Sequence, residues 1–223
     1  MRAQKSRTMS IQIRPYTPND RAAVRHICCE TGFSGNPIDP LFSDREVFAD
    51  FFTRYYTDYE PESAFIAEEA GQVVGYLLGC RNIHAQPRIE ARLLWTSIVP
   101  KVCVRLLTGR YNAASRRFLW WCCVKGPKET PSVPKGAAHF HFNLLPPYRN
   151  RGLGKKFFFR FLRMIENDGL PGVYGQIQIT DDRRPLRVFE KFGFTLYDQR
   201  EITRFRGHHE RRVYVATLYR EFV

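Results

Sequence analysis

Apolar and polar residues alternate from Ile11 to Arg14 and stop at Pro15, which predicts a short first strand. Thr17-Pro18-Asn19-Asp20 then has the chemistry of a helix start: a capping hydroxyl, a proline suited to the first turn, and a carboxylate near the positive end of the helix dipole. Ala22, Ala23, Val24, Ile27 and Cys28 form the apolar stripe of that helix. The stretch from Gly32 to Pro40, rich in Gly, Pro, Ser and Asn, predicts an irregular crossing or lid. A second helix is expected from Ser43-Asp44 to Tyr56. Ser63 to Glu68 and Gln72 to Cys80 read as a hairpin turning at Glu69-Ala70-Gly71. Further on, Ala137 to Leu145 is a strand with His139, His141 and Asn143 on one face and Phe140, Phe142 and Leu144 on the other. An amphipathic helix follows, ending near Asn167-Asp168-Gly169. Gly172 to Thr180 is the next strand, Arg184 to Phe192 a short helix stopped by Gly193, and Phe194 to Thr203 with Arg211 to Leu218 a second hairpin.

The pattern changes between Arg81 and Lys135. That stretch holds eleven Lys or Arg and two acidic residues, so a surplus of nine supplies most of the net charge of +13. It reads as two or three short helices broken at Pro100 and Gly109, with Leu93, Leu94, Ile98, Val102, Leu106 and Leu107 near helical spacing. Phe118, Leu119, Trp120 and Trp121 form an apolar knot, and Gly126 to Lys135 a proline-rich linker. We treat about 82–134 as a helical insertion in a single domain spanning 1–223. Its charge and tryptophans suit an acidic macromolecule or a membrane surface; the alternative is that Trp95, Trp120 and Trp121 pack on the sheet while the charges face water.

Composition narrows the classes. Hydrophobic residues at 43% and aromatics at 14% exclude a disordered chain. The positive balance implies an anionic partner, whether phosphorylated cofactor, nucleic acid, membrane surface or acidic substrate, or else a functionally neutral basic surface. The six cysteines, two pairs of them adjacent, fit neither a secreted disulfide framework nor Cys-x-x-Cys metal spacing, so most are expected as buried apolar residues in a reducing compartment and no metal is expected. The basic first ten residues lack the apolar core of a signal peptide, and no apolar run reaches membrane-spanning length, so the cytoplasm is the expected location.

Candidate chemistry concentrates at Asn143 to Leu162. Strand, double proline, glycine-spaced turn and helix start form an arrangement that aims unpaired backbone N–H groups at an anion. Gly152 and Gly154 allow close approach, and Arg149, Arg151, Lys155 and Lys156 add charge.

Arg149-Asn150-Arg151-Gly152-Leu153-Gly154, led in by Pro146-Pro147-Tyr148, resembles the signature of the GCN5-related N-acetyltransferase (GNAT) superfamily. A second segment, Asp182-Arg183-Arg184-Pro185-Leu186-Arg187-Val188-Phe189-Glu190-Lys191-Phe192-Gly193-Phe194, is similar to another family segment in register and in its Gly-Phe ending, with three departures. More loosely, Ile13-Arg14-Pro15-Tyr16 and the Phe65 to Gly79 hairpin are similar to the acetyltransferase-like domain of O-GlcNAc hydrolases and its bacterial relatives. The resemblance implies an α/β (α+β) fold with a mixed, mostly antiparallel central sheet flanked by helices. It implies acetyl-CoA as cosubstrate and transfer of the acetyl group to an amine, which is not named, by direct attack on the thioester. It also implies that Leu144, Leu145, Arg149, Asn150, Arg151, Gly152, Leu153, Gly154, Lys155, Lys156, Asp182 and Phe189 line the cofactor site. In that setting a backbone N–H near Asn143 to Leu145 would face the developing oxyanion.

For the base, His141 and His139 are the candidates, with Asn143 orienting substrate or water; the bland alternative is a pair of histidines that only pack in the sheet. Glu68 and Glu69 read as solvated turn residues, and Asp182 as a helix cap. The family's usual tyrosine acid falls at Phe189, which has no proton to give; Tyr197, Tyr174 and Cys80 are substitutes left unranked. Phe189 therefore motivates a second reading, a catalytically weak or inactive acetyl-CoA-binding regulatory module. The basic stretch motivates a third, a nucleic-acid-binding protein.

Overall fold

The period-two runs become strands of one seven-stranded sheet in the order β1-β2-β3-β4-β5-β7-β6. These are β1 (Gln12–Pro15), β2 (Ala64–Glu69), β3 (Gln72–Cys80), β4 (Ala138–Leu144), β5 (Gly172–Ile179), β6 (Thr195–Glu201) and β7 (Tyr214–Glu221). Every neighbouring pair is antiparallel except β4 and β5. The computed structural model describes residues 11–180, 182, 184–207 and 211–222; the basic first ten residues and Arg183 of the second segment lie outside them.

Two layers of helix cover the sheet. On one face lie α1 (Arg21–Thr31) and α2 (Arg45–Asp58), with Val24, Ile27 and Cys28 of α1 buried. Thr17 and Asp20 form a capping box before α1, and Asp20 also receives both terminal nitrogens of Arg14, at 2.7 Å each. The other face carries α7 (Leu153–Ile165). Its Leu153, Phe157, Phe158, Phe161 and Ile165 fall at helical spacing and are all buried, against Phe140 and Leu144 of β4 among others. Burying each such side chain is worth about 2 kcal/mol before the entropy of ordering it. The short α8 (Arg184–Glu190) closes this side through Leu186.

Between β3 and β4 run α3 (Gln86–Leu93), a π-helical turn (Leu94–Ile98), α4 (Val99–Leu107), α5 (Ala113–Val124) and α6 (Gly126–Glu129). The expected break at Pro100 is absent: helical backbone continues from Gln86 to Leu107. Proline lacks an N–H and crowds the carbonyl four residues back, and the wider π turn just before it relieves that crowding. The expected linker begins instead with a helical turn, where Glu129 receives the Trp121 indole and the Thr203 hydroxyl and amide. Trp121 is buried, whereas Trp95 and Trp120 face outward at 68% and 53% exposure, so the apolar knot packs only in part. The basic surplus is also less free than its count suggests. Lys101 bonds Glu46 and Asp50 at 2.7 and 2.8 Å, Arg105 holds Asp44 at 2.6 Å and also pairs with Glu46, and Arg81 reaches Asp168.

Cys28, Cys29 and Cys80 are buried as expected, but Cys103, Cys122 and Cys123 are exposed, on the outer sides of α4 and α5. No helix among the described residues is long and apolar enough to cross a membrane, and no group of three His, Cys, Asp or Glu among them could hold a metal.

Candidate active site

The site begins with a failure of strand pairing. β4 and β5 share a ladder only from Ala138 to Phe140 on one and Val173 to Gly175 on the other. β4 continues to Leu144 against β3, and β5 continues to Ile179 against β7, so the two strands part and leave a wedge. The Leu145 N–H donates to Val74 O of β3 at 3.0 Å. Backbone groups alternate along a strand, so the amides of Phe142 and Leu144 point the other way, into the wedge. Leu145, proposed from sequence as a contact through its backbone, has its amide already committed to β3. Phe142, which sequence reasoning passed over as a core residue, presents an amide there.

The glycine turn stands at the open end. Asn150 and Gly152 both have positive φ, at 61° and 74°, and Gly152 is the residue from which α7 starts. The turn brings the first N–H groups of α7, which have no intrahelical acceptor, to the surface beside the wedge. No atom lies within 4 Å of where a Gly152 side chain would begin, so its requirement is conformational; Gly154 lies 3.0 Å, measured the same way, from the Phe142 ring and serves close packing of helix on sheet. Leu153 anchors the helix in the core.

The charged residues of the turn divide. Arg149 does not reach outward: its Nε donates to Leu144 O at 3.1 Å and its Nη2 to Gly35 O at 2.6 Å, tying the turn to the strand end and to the loop after α1. Ser34 of that loop donates to the Gln178 side chain of β5 at 2.9 Å, so the loop straps across the wedge from both sides. Arg151 is exposed over the Tyr148 ring, 3.9 Å from Glu69, and Lys155 lies over Phe159 and Phe192, with Lys156 exposed beside it. Glu68 is not a free turn residue, since it receives Arg14 at 2.7 Å.

Two cavities meet at the wedge. One, of about 540 Å³, lies between the glycine-turn side and α8 and is lined by Phe142, Leu144, Arg149, Asp182, Pro185 and Phe189, among others. Phe189 sits with its ring edge-on to Phe194, 5.8 Å between centroids. The other, of about 710 Å³, lies under α2 and α3. His141, Asn143 and Gln176 line both.

The second cavity holds the histidines. His139 Nε2 is hydrogen-bonded to the Tyr56 hydroxyl at 2.9 Å, and its ring lies 5.2 Å from that of Tyr174. His141 stands between the rings of Tyr56 and Tyr76, with its Nε2 out of contact with solvent and without a hydrogen-bond partner. Asn143 donates to the Tyr76 hydroxyl at 2.7 Å. Burial pushes the His139 imidazole down to about 4, and burial with the neighbouring His139 pushes His141 down to about 3, so both are neutral at pH 7. Of the three substitute acids, only Tyr174 lines either cavity, its phenol raised to about 12 by burial. Tyr197 is 50% exposed beside Tyr219, and Cys80 is fully buried against the Tyr55 hydroxyl. Tyr56, Tyr76 and Glu90 also line the cavity and were missed, because none belongs to a local motif.

One parallel pair in an otherwise antiparallel sheet, splayed beside a glycine turn that opens a helix, is the architecture of the GNAT fold, and the chain has that fold. The solved structure of SsHAT is similar at 29% identity and a TM-score of 0.60, over 95% of this chain and 98% of that one. So is that of yncA, a putative acetyltransferase from Salmonella typhimurium with its cofactor acetyl-CoA, at 15% identity and 0.56, over 95% and 94%. A phosphinothricin acetyltransferase from Sinorhizobium meliloti in complex with acetyl-CoA matches at 15% identity and 0.54, over 96% and 89%. No family model matches the chain.

Proposed function

We propose that the chain is an acyl-CoA-dependent N-acyltransferase that transfers an acetyl group to an amine. The observation that carries this reading is the wedge between β4 and β5, which connects a cavity beside the glycine turn to a second cavity rich in aromatic and histidine side chains. The residues present fit acetyl-CoA. The positive-φ turn and the first amides of α7 suit a pyrophosphate, with Arg151, Lys155 and Lys156 exposed around them, and the Phe142 and Leu144 edge suits an extended amide-bearing arm. Arg149 contributes by holding the strap. When bound, the cosubstrate supplies an acyl group activated as a thioester. Phe142 or Leu144 N–H would donate to its carbonyl oxygen as negative charge develops there.

The amine would enter from the second cavity. His141 Nε2, a neutral acceptor in a water-excluded position, would take a hydrogen bond from the attacking nitrogen and hold its lone pair toward the wedge. His139 is oriented by Tyr56, and Asn143 by Tyr76. An amine that arrives as its ammonium gives up one proton to water before it attacks, and the same exclusion of water favours the uncharged form at that point; the second proton, lost as the C–N bond replaces the C–S bond, neutralises the thiolate released. The six free thiols suit a reducing compartment, and we place the protein in the cytoplasm.

Coenzyme A release with a panel of amines tests the reading. Gly152→Val, which forces a β-branched residue to φ 74°, should abolish stabilisation by acetyl-CoA and lower kcat/KM by about 100-fold or more. Unchanged turnover in that variant would refute the site. A second reading, an acetyl-CoA-binding module without turnover, is favoured by one observation: Phe189, at the place of the family's acid, offers only a ring packed on Phe194. It predicts stabilisation by acetyl-CoA and no coenzyme A release with any amine. Nucleic-acid binding has only charge to support it, and part of that charge is paired with Asp44, Glu46, Asp50 and Asp168.

A further inference from the structure

Two carboxylates, Asp50 and Glu90, line the larger cavity, and they differ in one respect. Asp50 is already neutralised, by Arg25 and by Lys101 at 2.8 Å. Glu90, on α3, has no basic partner among the described residues; only the Gln86 side chain, one turn earlier, favours its charged form. Glu90 is half-buried, and that burial raises its pKa with no cation beside it to offset the cost. Tyr56 and Tyr174, the two rings that bracket His139, line the same cavity as Glu90. Tyr174 precedes Gln176 by two residues on β5, about 7 Å along a strand, so this wall of the cavity runs up to the wedge.

Apart from the histidines and the uncharged polar Thr31, Asn143, Gln176 and Gln178, the remaining walls are largely apolar or aromatic, including Phe48, Phe52, Leu94 and Ile98. The cation lining the cavity is Arg204, which is stacked on Trp121 and Phe205 with centroid distances of 5.1 and 4.7 Å and comes from the turn after β6 rather than from α3.

We infer that Glu90 recognises the ammonium of the acceptor, and that the acceptor is a primary amine carrying one positive charge on an apolar or aromatic body. This rests on the acyltransferase reading above. One unpaired carboxylate matches one charge, and the rings of Tyr56 and Tyr174 add cation–π attraction around it. A second ammonium on the same ligand would find no free carboxylate and would meet Arg204, which disfavours polyamines and aminoglycosides. A small arylalkylamine and the side chain of a lysine in a peptide share the selected chemistry.

Calorimetry on the full chain separates these ideas, with phenethylamine, its neutral analogue phenethyl alcohol, spermidine and a blocked lysine-containing peptide as probes. The wild type should bind phenethylamine about tenfold more tightly than the alcohol, Glu90→Gln should bring the two close to parity, and Glu90→Asp should keep most of the preference. Tighter binding of the peptide, with the same loss in Glu90→Gln, supports the inference and assigns the amine to a lysine. Equal binding of amine and alcohol by the wild type, an amine affinity that Glu90→Gln leaves unchanged, no amine binding at millimolar concentration, or spermidine binding most tightly would each overturn it. Stabilisation by acetyl-CoA is read separately. Both Glu90 variants should retain it, which shows that they fold; its absence in the wild type sinks the acyltransferase reading, while the amine titrations still decide the role of Glu90.

Discussion

The two cavities that meet at β4 are built by opposite means. The one beside the glycine turn has walls made largely of backbone: a strand edge released from its ladder, a turn with two positive φ angles, and the open end of α7. The one under α2 and α3 has walls made of side chains, with Tyr56 from α2, Tyr76 from β3, Glu90 from α3, His139 and His141 from β4 and Tyr174 from β5. A backbone site requires particular dihedrals at fixed spacing, and so leaves a short local pattern. A side-chain site requires only that distant positions converge, and each element keeps its ordinary amphipathic pattern. The first kind is suited to a ligand common to many proteins, and the second to one that differs among them.

Arg149 offers the sharpest way to break this division, because it is a side chain supporting the backbone site. Removing its guanidinium leaves the carbonyls of Leu144 and Gly35 without their donors and frees the strap from the turn. Arg149→Gln should destabilise the fold by about 3 kcal/mol, from two charge-assisted bonds worth about 1.5 kcal/mol each. It should also raise KM for acetyl-CoA while leaving amine affinity unchanged. Chemical denaturation and a KM measurement check it; a variant with normal stability and a KM effect alone would mean that Arg149 turns outward to the cofactor.

The same contrast explains how much could be read beforehand. The succession of strands along the chain, both hairpins, α7 and the alternation of His139, His141 and Asn143 with Phe140, Phe142 and Leu144 follow from period and from glycine and proline placement; the order of the strands within the sheet does not. The helix through Pro100 did not, because proline's local rule was overridden by a π turn that no residue type signals. Nor did the direction of Arg149, since charge near a glycine turn is equally consistent with a clamp and with an anion contact. Glu90 was out of reach for a different reason. It sits among basic residues in a stretch whose net charge hides it, and only tertiary structure separates it from them. Sequence also suggested imidazoles poised near neutrality, whereas the burial that builds the cavity moves both far below that range.

The depressed histidines make the next test, of intermediate size. Each imidazole has a folded pKa below its unfolded value of about 6.5, so between those values the unfolded chain binds more protons. Stability is therefore unaffected by these groups above pH 6.5 and falls as pH drops from there toward 4 and 3, by about 1.4 kcal/mol per unit for each histidine. His141→Phe should halve that slope and leave the acetyl-CoA-induced shift in Tm intact. Activity should show no limb near pH 6.5 belonging to an imidazole. A slope unchanged in the variant, or an activity limb at 6.5 that it abolishes, would place His141 in a wetter site and restore it as a conventional base.

The smallest effect is expected at Phe189, where the two cavities exchange roles, since the one residue of the backbone site whose side-chain chemistry matters lacks a hydroxyl. Phe189→Tyr places a phenol on the ring that lines the smaller cavity, with Phe194 still packed against its edge. A thiolate whose conjugate acid has a pKa near about 8.5 leaves readily, so a donor should raise kcat only a few-fold, on the order of threefold, with acetyl-CoA affinity unchanged. A rise of about a thousandfold would show that protonation limits the wild type and that the natural chain works chiefly as a binder. A decrease in acetyl-CoA affinity would show instead that Phe189 is selected for its apolar contact, which makes the missing hydroxyl a feature of the binding site rather than a lost acid.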